Sequence, residues 1–230
     1  MMTLNKLVFD ILETVKSNKV NDDVDIDERQ IENSINIQRA LWIRNEYNKN
    51  GRVIDPDVIQ NLQCVELEVV DRSACPCTIP VDCSMLRTKQ LIPVTIELHN
   101  KPAITKIGPV DRLDEFYSFV PYHQVIFSGN GKFNTDAVFA FAYDGRIYFK
   151  AKKAKSRMLK YVNIMGVFED PSEVAAFTAC DGTTCFSKDG KYPVKAWMWP
   201  MMKEYILKEY ITSMQMPEDN SNNAASDERK

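Results

Sequence analysis

Six cysteines are the residues of this chain best suited to chemistry. They form two groups: Cys64, Cys75, Cys77 and Cys83, then Cys180 and Cys185. Three thiolates on one loop, completed by a cysteine from elsewhere, could bind zinc tetrahedrally, although the C-x-C at 75–77 is shorter than the usual zinc knuckle. A disulfide is an equal alternative, and free thiols in loops are the favoured interpretation because no export signal is visible. The sequence therefore predicts neither a metal site nor a cofactor.

Histidines and carboxylates offer no catalytic group either. The chain has two histidines, His99 and His123, and neither lies at motif spacing from a nucleophile or an acidic partner. The acidic residues form no isolated pair of the kind that acid–base catalysis uses. We therefore expect no catalytic residue and a protein that is not an enzyme.

A basic run follows one of the predicted strands. Its candidate DNA-channel residues are Lys150, Lys152, Lys153, Lys155 and Arg157. Such a run is most often a solvated loop, but it could also line a passage for nucleic acid. A net charge of −3 for the whole chain argues against tight duplex binding, so any contact with DNA would be nonspecific.

The elements that must position these residues begin with helices. Residues 4–15 carry one apolar stripe at helical spacing, with Thr3 as a plausible N-cap. Ile31–Asn50 is also strongly helical, but its apolar residues lie on more than one face, which is typical of a helix that packs against several neighbours. Aromatic residues recur in Pro193–Met216, a helical pattern interrupted at Pro200. The predicted interface residues from these two segments are Arg39, Trp42, Ile43, Arg44, Tyr47, Trp197, Trp199 and Tyr205.

Strand patterns occupy the middle of the chain. They are Cys64–Val69, Ile92–Leu98, Ala103–Ile107, a hairpin over 137–151 and Tyr161–Phe168. Asp144-Gly145 supplies the hairpin with the positive-φ residues of a type I′ turn. The sequence predicts an α+β fold in which N- and C-terminal helices form a helical bundle with an inserted antiparallel β-rich region. The expected parts are 1–63 (helical), 64–169 (β-rich), 170–216 (helices completing the bundle) and 217–230 (a polar tail).

Composition places the chain among ordinary globular proteins. Its 230 residues are 44% apolar and 27% charged. One domain of this length has enough core to fold without disulfides or a bound metal. No apolar run is long enough to span a membrane, and the N-terminus lacks the features of a signal peptide. We expect a protein made in the cytosol, with no membrane partner.

Eight segments are informative as a set: LVFDILETVKSN, RQIENSINIQRALWIRNE, RTKQLIPVTIELH, ITKIGPVDRL, SGNGKFN, NIMGVFEDPSEV, AWMWPMMKEYILK and MPEDNSNNA. Taken together, they resemble a virion structural protein of crAss-like bacteriophages. The resemblance extends over nearly the whole chain. None is a catalytic signature, so the resemblance rests on the set.

The resemblance implies a head–tail connector or ring component, similar in layout to the adaptors of short-tailed phages. It implies a homo-oligomeric ring, twelvefold, around the DNA channel of the virion, assembled in the host cytoplasm. Its partners would be further copies of itself, the portal protein, neighbouring ring or tail proteins and the packaged DNA. A different class of function, a zinc-stabilised nucleic-acid-binding module, is the alternative that the cysteines and the basic run leave open.

Overall fold

A computed structural model of the protein describes residues 2–17, 27–49, 53–70, 85–99, 101–111, 115–128, 137–151 and 159–214, with the backbone alone at 16, 17 and 211–214. Its α-helices are α1 (Leu4–Ser17), α2 (Glu28–Lys49) and α3 (Met198–Met214). Short 3-10 helices span Pro56–Val58, Tyr122–Phe127 and Pro171–Ala176. In these described ranges, no helix is both long and apolar enough to cross a membrane.

The strands form one large sheet and one small hairpin. They are β1 (Gln60–Val69), β2 (Leu86–Thr88), β3 (Glu97–Leu98), β4 (Lys101–Pro102), β5 (Ile104–Pro109), β6 (Ser118–Phe119), β7 (Phe139–Tyr143), β8 (Arg146–Lys150) and β9 (Tyr161–Gly166). The seven-stranded sheet has the order β5-β9-β1-β2-β8-β7-β6, and β3 pairs with β4 alone. The pairs are antiparallel except β6 with β7, which is parallel.

The two edges of the large sheet approach each other and nearly close it into a barrel. Just before β6, the backbone N–H of Tyr117 donates to the carbonyl of Ile107 in β5 at 2.7 Å. Gly108 makes this approach possible, because a Cβ at that position would lie 2.6 Å from the carbonyl oxygen of Glu115. A side chain at 108 would therefore push the edges apart.

Local sequence explains the turns and helix ends. Asp144 and Gly145 have φ values of 48° and 67°, which confirms the predicted turn between β7 and β8. Thr3 and Asp27 accept side-chain hydrogen bonds from the backbone N–H groups of Lys6 and Arg29 at the starts of α1 and α2. The same capping occurs where Asp55 and Asp170 precede prolines 56 and 171. Pro200 lies in the first turn of α3, where its missing N–H removes no helical hydrogen bond.

One continuous core joins the helices to one face of the sheet. Ile147 and Phe149 of β8 share this main core with α1, α2 and α3, whereas Tyr148 between them belongs to a second, smaller cluster. Since alternate residues of a strand face opposite sides, the helices bury their apolar stripes against one side of the barrel wall. Phe141, Val125 and Met85 pack with Tyr148 on the other side.

The predicted helical bundle with an inserted β-rich region is wrong. The molecule is mainly a nearly closed, mixed seven-stranded sheet with a few helices packed on it. The error has a physical origin: β2 and β6 have three and two residues, too few to show alternation, and closure depends on contacts between segments distant in sequence. The helices, expected to bury their apolar stripes on one another, share one core with the sheet.

The strand predicted over Ile92–Leu98 is also mostly wrong. Only Glu97–Leu98 forms a strand there, and Thr95 makes one isolated bridge to Phe168. Pro93 has no N–H to donate to a ladder, which explains why regular pairing begins only after it.

Candidate assembly surface

The outer face of α2 carries apolar residues that the described part of the chain leaves exposed. Ile37, Leu41 and Arg44, spaced at i, i+4 and i+7, share this side of the helix and are exposed. Leu41 and Arg44 also line a groove of about 870 Å³, together with Val94 and the residues of β3 and β4. We call Ile37, Leu41 and Arg44 the α2 stripe. A helix of a lone subunit would normally present polar residues here.

The opposite side of α2 is held in the subunit by Arg39. This side chain is 0% exposed. Its guanidinium donates to the carbonyls of Pro193 at 2.7 Å, Phe168 at 2.8 Å and Val58 at 3.4 Å. Burial lowers the pKa of the guanidinium, and the nearby Tyr192 and Asp170 oppose that shift. Arg39 thereby links α2 to three segments of the chain.

A polar network continues from this arginine. The Tyr192 hydroxyl donates to Asn36 Oδ1 at 2.6 Å, and Asn36 Nδ2 donates to Asp170 Oδ1 at 3.0 Å. Asp170 Oδ1 also accepts from the backbone N–H of Ser172. Burial raises the pKa of the Tyr192 phenol above its ordinary value of 10.0, so the hydroxyl keeps its proton and acts as a donor.

The structure divides the predicted interface residues into two sets. Five point inward or are half-buried: Arg39, Ile43, Tyr47 and Trp199 are buried, and Trp42 is half-buried with its ring 6.1 Å from that of Tyr205. Trp199 Nε1 donates to Asp10 Oδ2 at 3.1 Å, so this indole is used in packing α3 on α1. The exposed residues of the predicted set are Arg44, Trp197 and Tyr205. Only these, with the edge of Trp42, present substantial surface to a partner.

A pocket of about 260 Å³ opens beside the start of α3. It is lined by Ile43, Glu46, Tyr47, Val53, Ile54, Asp55, Pro56, Val58, Lys195, Trp197 and Met198. Lys195 and Asp55 form an ion pair at this pocket, and that bond holds the pKa of the Asp55 carboxyl below its usual range. Val53 is 71% exposed. An apolar floor with an open apolar rim is typical of a surface that receives a partner's side chain.

Sequence reasoning missed a second exposed apolar site. Val125, Ile126 and Phe127 end the 3-10 helix that covers β7; Val125 is buried, but Phe127 is 79% exposed. A run of three large apolar residues before Ser128-Gly129 was the available signal. Because the segment ends in a turn, not every member of the run can face the core.

Lys150, the first residue of the predicted basic run, is the last residue of β8, and its side chain reaches the end of the same 3-10 helix. Its Nζ donates to the carbonyls of Val125 at 3.0 Å and Ser128 at 2.8 Å. These bonds hold the ammonium group against the backbone at the end of that helix. Lys152, Lys153, Lys155 and Arg157 lie outside the described residues.

The cysteines differ from the favoured prediction of free thiols in loops. Cys64 and Cys180 form a disulfide with a Cα–Cα distance of 5.3 Å, and Cys185 is free. Cys64 sits inside β1, at a bulge with φ 52° that puts Leu62 and Val65 both in the core. The disulfide removes two donors from the zinc hypothesis, and Cys75, Cys77 and Cys83 lie outside the described residues. Among the residues that the structure describes, no cluster of three or more metal-binding side chains occurs.

Comparison with known proteins agrees with the resemblance seen in the sequence. Residues 6–228 match the profile of the family described as phage tail ring protein 2. The chain is also 26% identical to "Ring protein 2" of Bacteroides phage crAss001 over 231 residues, an alignment that covers 98% of both proteins. The predicted relationship to ring proteins of crAss-like phages is thereby confirmed.

Proposed function

Because the chain belongs to the phage tail ring protein 2 family of crAss-like phages, we propose that it forms the ring of the head–tail connector that links the portal to the tail. Membership of this family makes it a structural ring component of the virion. The finer proposal is a closed ring of twelve copies around the DNA channel, assembled in the host cytoplasm, with no catalytic role.

The observation that carries this proposal is the extent of the family match. Residues 6–228 belong to the matched region, so the barrel, the helices and the surfaces described above are all parts of a ring protein. A ring requires at least two surfaces on each copy, because a heterologous contact joins one face of a subunit to a different face of the next. Contacts with flanking proteins require further surfaces.

The α2 stripe is the surface that we assign to the portal or to a neighbouring ring. Ile37 and Leu41 supply apolar area, and Arg44 supplies a cation at the groove beside them. Apolar residues with arginine are the usual composition of an interface centre. Tyr205 and the half-buried Trp42 extend this surface onto α3.

DNA would pass the ring without sequence recognition. We assign the basic run Lys150–Arg157 to the wall of the channel, where a few cations attract the phosphate backbone weakly and independently of sequence. The polar tail from Pro217, which lies outside the described residues, is assigned to contacts with a neighbouring protein.

The test combines imaging with one pair of variants. A cryo-electron microscopy map of the virion neck should contain a ring of this chain between portal and tail. Leu41→Glu should fold but lose binding to purified portal or to the adjacent ring protein by at least tenfold. Phe9→Glu, an equally drastic change at an exposed residue of α1, is the matched control. A neck map without this chain would refute the proposal, and a Leu41→Glu variant that binds normally would refute the role of the stripe.

A further inference from the structure

The disulfide between Cys64 and Cys180 is unexpected in a protein that is assembled inside a bacterial cell. Glutathione and thioredoxin keep thiols reduced in the cytoplasm, and lasting disulfides are rare there. The proposed assembly of the ring in the host cytoplasm therefore separates the place of folding from the place of oxidation. The two are compatible when the chain folds first with free thiols and the bond forms later.

The hairpin that carries Cys180 is held in place without the bond. Cys180 lies in the turn of this short hairpin, residues 177–185. Across the hairpin, the backbone N–H of Cys185 donates to the carbonyl of Phe177 at 3.0 Å. Phe177, and Phe186 directly after the hairpin, are buried in the main core. We therefore expect the reduced chain to keep the same fold.

The position of Cys64 is likewise set by the sheet. Cys64 has a φ of 52°, a conformation that a residue with a Cβ adopts only where its surroundings impose it. Here β1 pairs with β9 on both sides of the bulge, at Leu62 and at Val65, and the Cys64 N–H donates to Asn163 Oδ1 at 3.2 Å. The Cα atoms of Cys64 and Cys180 are 5.3 Å apart, within the range of about 4.4–6.8 Å that a disulfide requires.

The two cysteines differ in their access to solvent, which sets the order of the oxidation steps. Cys180 is exposed and Cys64 is half-buried. A small disulfide of the glutathione class therefore reacts first at Cys180, whose thiolate attacks one of its sulfurs and releases one small thiolate. The Cys64 thiolate then attacks Cys180 Sγ in the mixed disulfide and releases the second. Two protein thiols are oxidised, and the small disulfide is reduced to two thiols that take up the two protons.

The bond acts on the segment that holds the first helix. Beyond the hairpin, the carbonyl of Lys188 accepts from the backbone N–H of Asn5, and the backbone N–H of Tyr192 donates to the carbonyl of Met2. The disulfide ties the start of this segment to β1. A covalent tie of this kind restricts local opening without adding a new contact.

We propose that Cys64 and Cys180 form a redox latch: the chain folds and enters the ring with both thiols free, and the disulfide closes after the particle leaves the reducing cytoplasm. The latch rests on the proposed ring function, because that function supplies the intracellular assembly step. Closure leaves the fold unchanged and makes the connection between the barrel and the segment at 188–192 covalent.

The chemistry is tested on the purified full chain. Reduced wild-type protein should have the circular dichroism spectrum of the oxidised protein, and oxidised glutathione should join Cys64 to Cys180, as peptide mapping by mass spectrometry detects. Cys64→Ser should stop at a mixed disulfide on Cys180. Cys180→Ser should take up glutathione at Cys64 more slowly, by about tenfold or more. Cys185→Ser is the matched control and should close as wild type does.

Three results of this experiment would overturn the latch. They are a reduced wild-type chain that is unfolded, faster uptake of glutathione at Cys64 than at Cys180, and a product in which Cys180 is joined to a cysteine other than Cys64. Hydrogen exchange gives a further measure: closure should slow exchange in residues 177–192 by about tenfold or more, and equal exchange in the two states would show that the bond ties nothing.

The timing is tested in infected cells. Cells are quenched in acid and their thiols alkylated, and released particles are treated in the same way after exposure to oxidised glutathione. Both cysteines should be alkylated in the cells and joined in the particles. If the chain is present in the particles but the bond already exists in the cells, or is absent from the particles, the latch fails and the ring stands. If the particles lack the chain, the proposed function fails and the latch fails with it.

Discussion

At the scale of single residues, Arg39 is the side chain on which the position of α2 depends. It is fully buried and its hydrogen bonds go to backbone carbonyls of three segments. A carbonyl that loses its only buried donor keeps the cost of desolvation without the compensating bond. Removal of the Arg39 side chain should therefore lower the free energy of unfolding by far more than its buried area suggests.

Replacement of Arg39 by methionine tests this. Arg39→Met preserves much of the side-chain volume but leaves the carbonyls of Pro193 and Phe168 without their donor. We expect the free energy of unfolding to fall by about 3 kcal/mol or more, at roughly 1–3 kcal/mol for each unsatisfied group. Guanidinium unfolding measures the change. Arg44→Met, an exposed position five residues later, should stay within about 0.5 kcal/mol of wild type; equal effects at 39 and 44 would contradict the assignment.

Tyr192 should make the protein sensitive to alkaline pH. Because its pKa is raised in the folded state from 10.0, the stability that it contributes is complete below pH 10.0 and is lost as the pH rises beyond that value. Tyr192→Phe should lose roughly 1 kcal/mol at neutral pH with the bond to Asn36, but its stability should fall less between pH 10 and pH 11 than that of wild type. Thermal midpoints across this range decide the point. Parallel losses in the two proteins would show that Tyr192 ionises normally.

Sequence alone could not separate Arg39 from Arg44. Both lie between the apolar faces of α2, and both were predicted to lie at an interface because such a helix usually packs against more than one neighbour. The structure buries one and exposes the other, and the difference depends on carbonyls supplied by residues 58, 168 and 193. The sequence of α2 does not show which of its two arginines will meet those carbonyls.

At the scale of elements, closure of the barrel depends on the close approach at Gly108. Gly108→Ala should lower the free energy of unfolding by about 2 kcal/mol, because its Cβ would crowd the backbone carbonyl of Glu115. Gly182→Ala is the comparison: Gly182 has a φ of +84° but no neighbour within 4 Å, so only backbone strain of about 1 kcal/mol is expected. Urea unfolding measures the loss of stability in each of the two variants. A larger loss at 182 than at 108 would mean that the edges do not meet tightly.

The disulfide joins β1 to the turn that follows the third 3-10 helix. Cys64 and Cys180 are 116 residues apart, so the link restricts a long loop of the unfolded chain. Reduction, or Cys180→Ser, should lower the stability by about 2–4 kcal/mol. Thiol titration of the unfolded protein establishes the redox state before each measurement. Cys185→Ser is the control; if the oxidised and reduced proteins unfold at the same denaturant concentration, the link contributes nothing.

The elements that sequence predicts well are those specified by neighbouring residues. The β7–β8 hairpin follows from Asp144-Gly145, and the helix starts follow from Thr3 and Asp27, because each signal lies within a few residues of its effect. β2 and β6 have no comparable signal. Their strand pairing is imposed by β1, β8 and β7, which is a property of the assembled sheet.

At the scale of the whole molecule, the proposed ring makes a prediction about mass. Twelve copies of the 26.4 kDa chain would give a particle of about 317 kDa. Native mass spectrometry of rings released from virions, or reconstituted with portal, should give this value. A different integer multiple of the chain mass would replace the predicted copy number. A mass that is not an integer multiple of the chain mass would exclude a homo-oligomer.

The family membership predicted from sequence is confirmed, whereas the interface residues stay a prediction. Of these, Arg44, Trp197 and Tyr205 are exposed in the subunit. Phe127 and Val53 were not identified as candidates. An exposed apolar residue and a buried one look alike in a sequence, and only the folded surface distinguishes them.

The two ends of the described chain also meet. Tyr192 donates its backbone N–H to the carbonyl of Met2, Asn5 does so to Lys188, and Trp199 and Lys203 of α3 bond Asp10 of α1. During synthesis, α1 therefore emerges long before α3 and the segment at 188–192, and these contacts form only when nearly the whole chain has left the ribosome. A product that ends before α3 leaves the α3-facing side of α1 uncovered and lacks the Trp197 side of the pocket. The last helix thus makes completion of the chain a condition for the packing of the first.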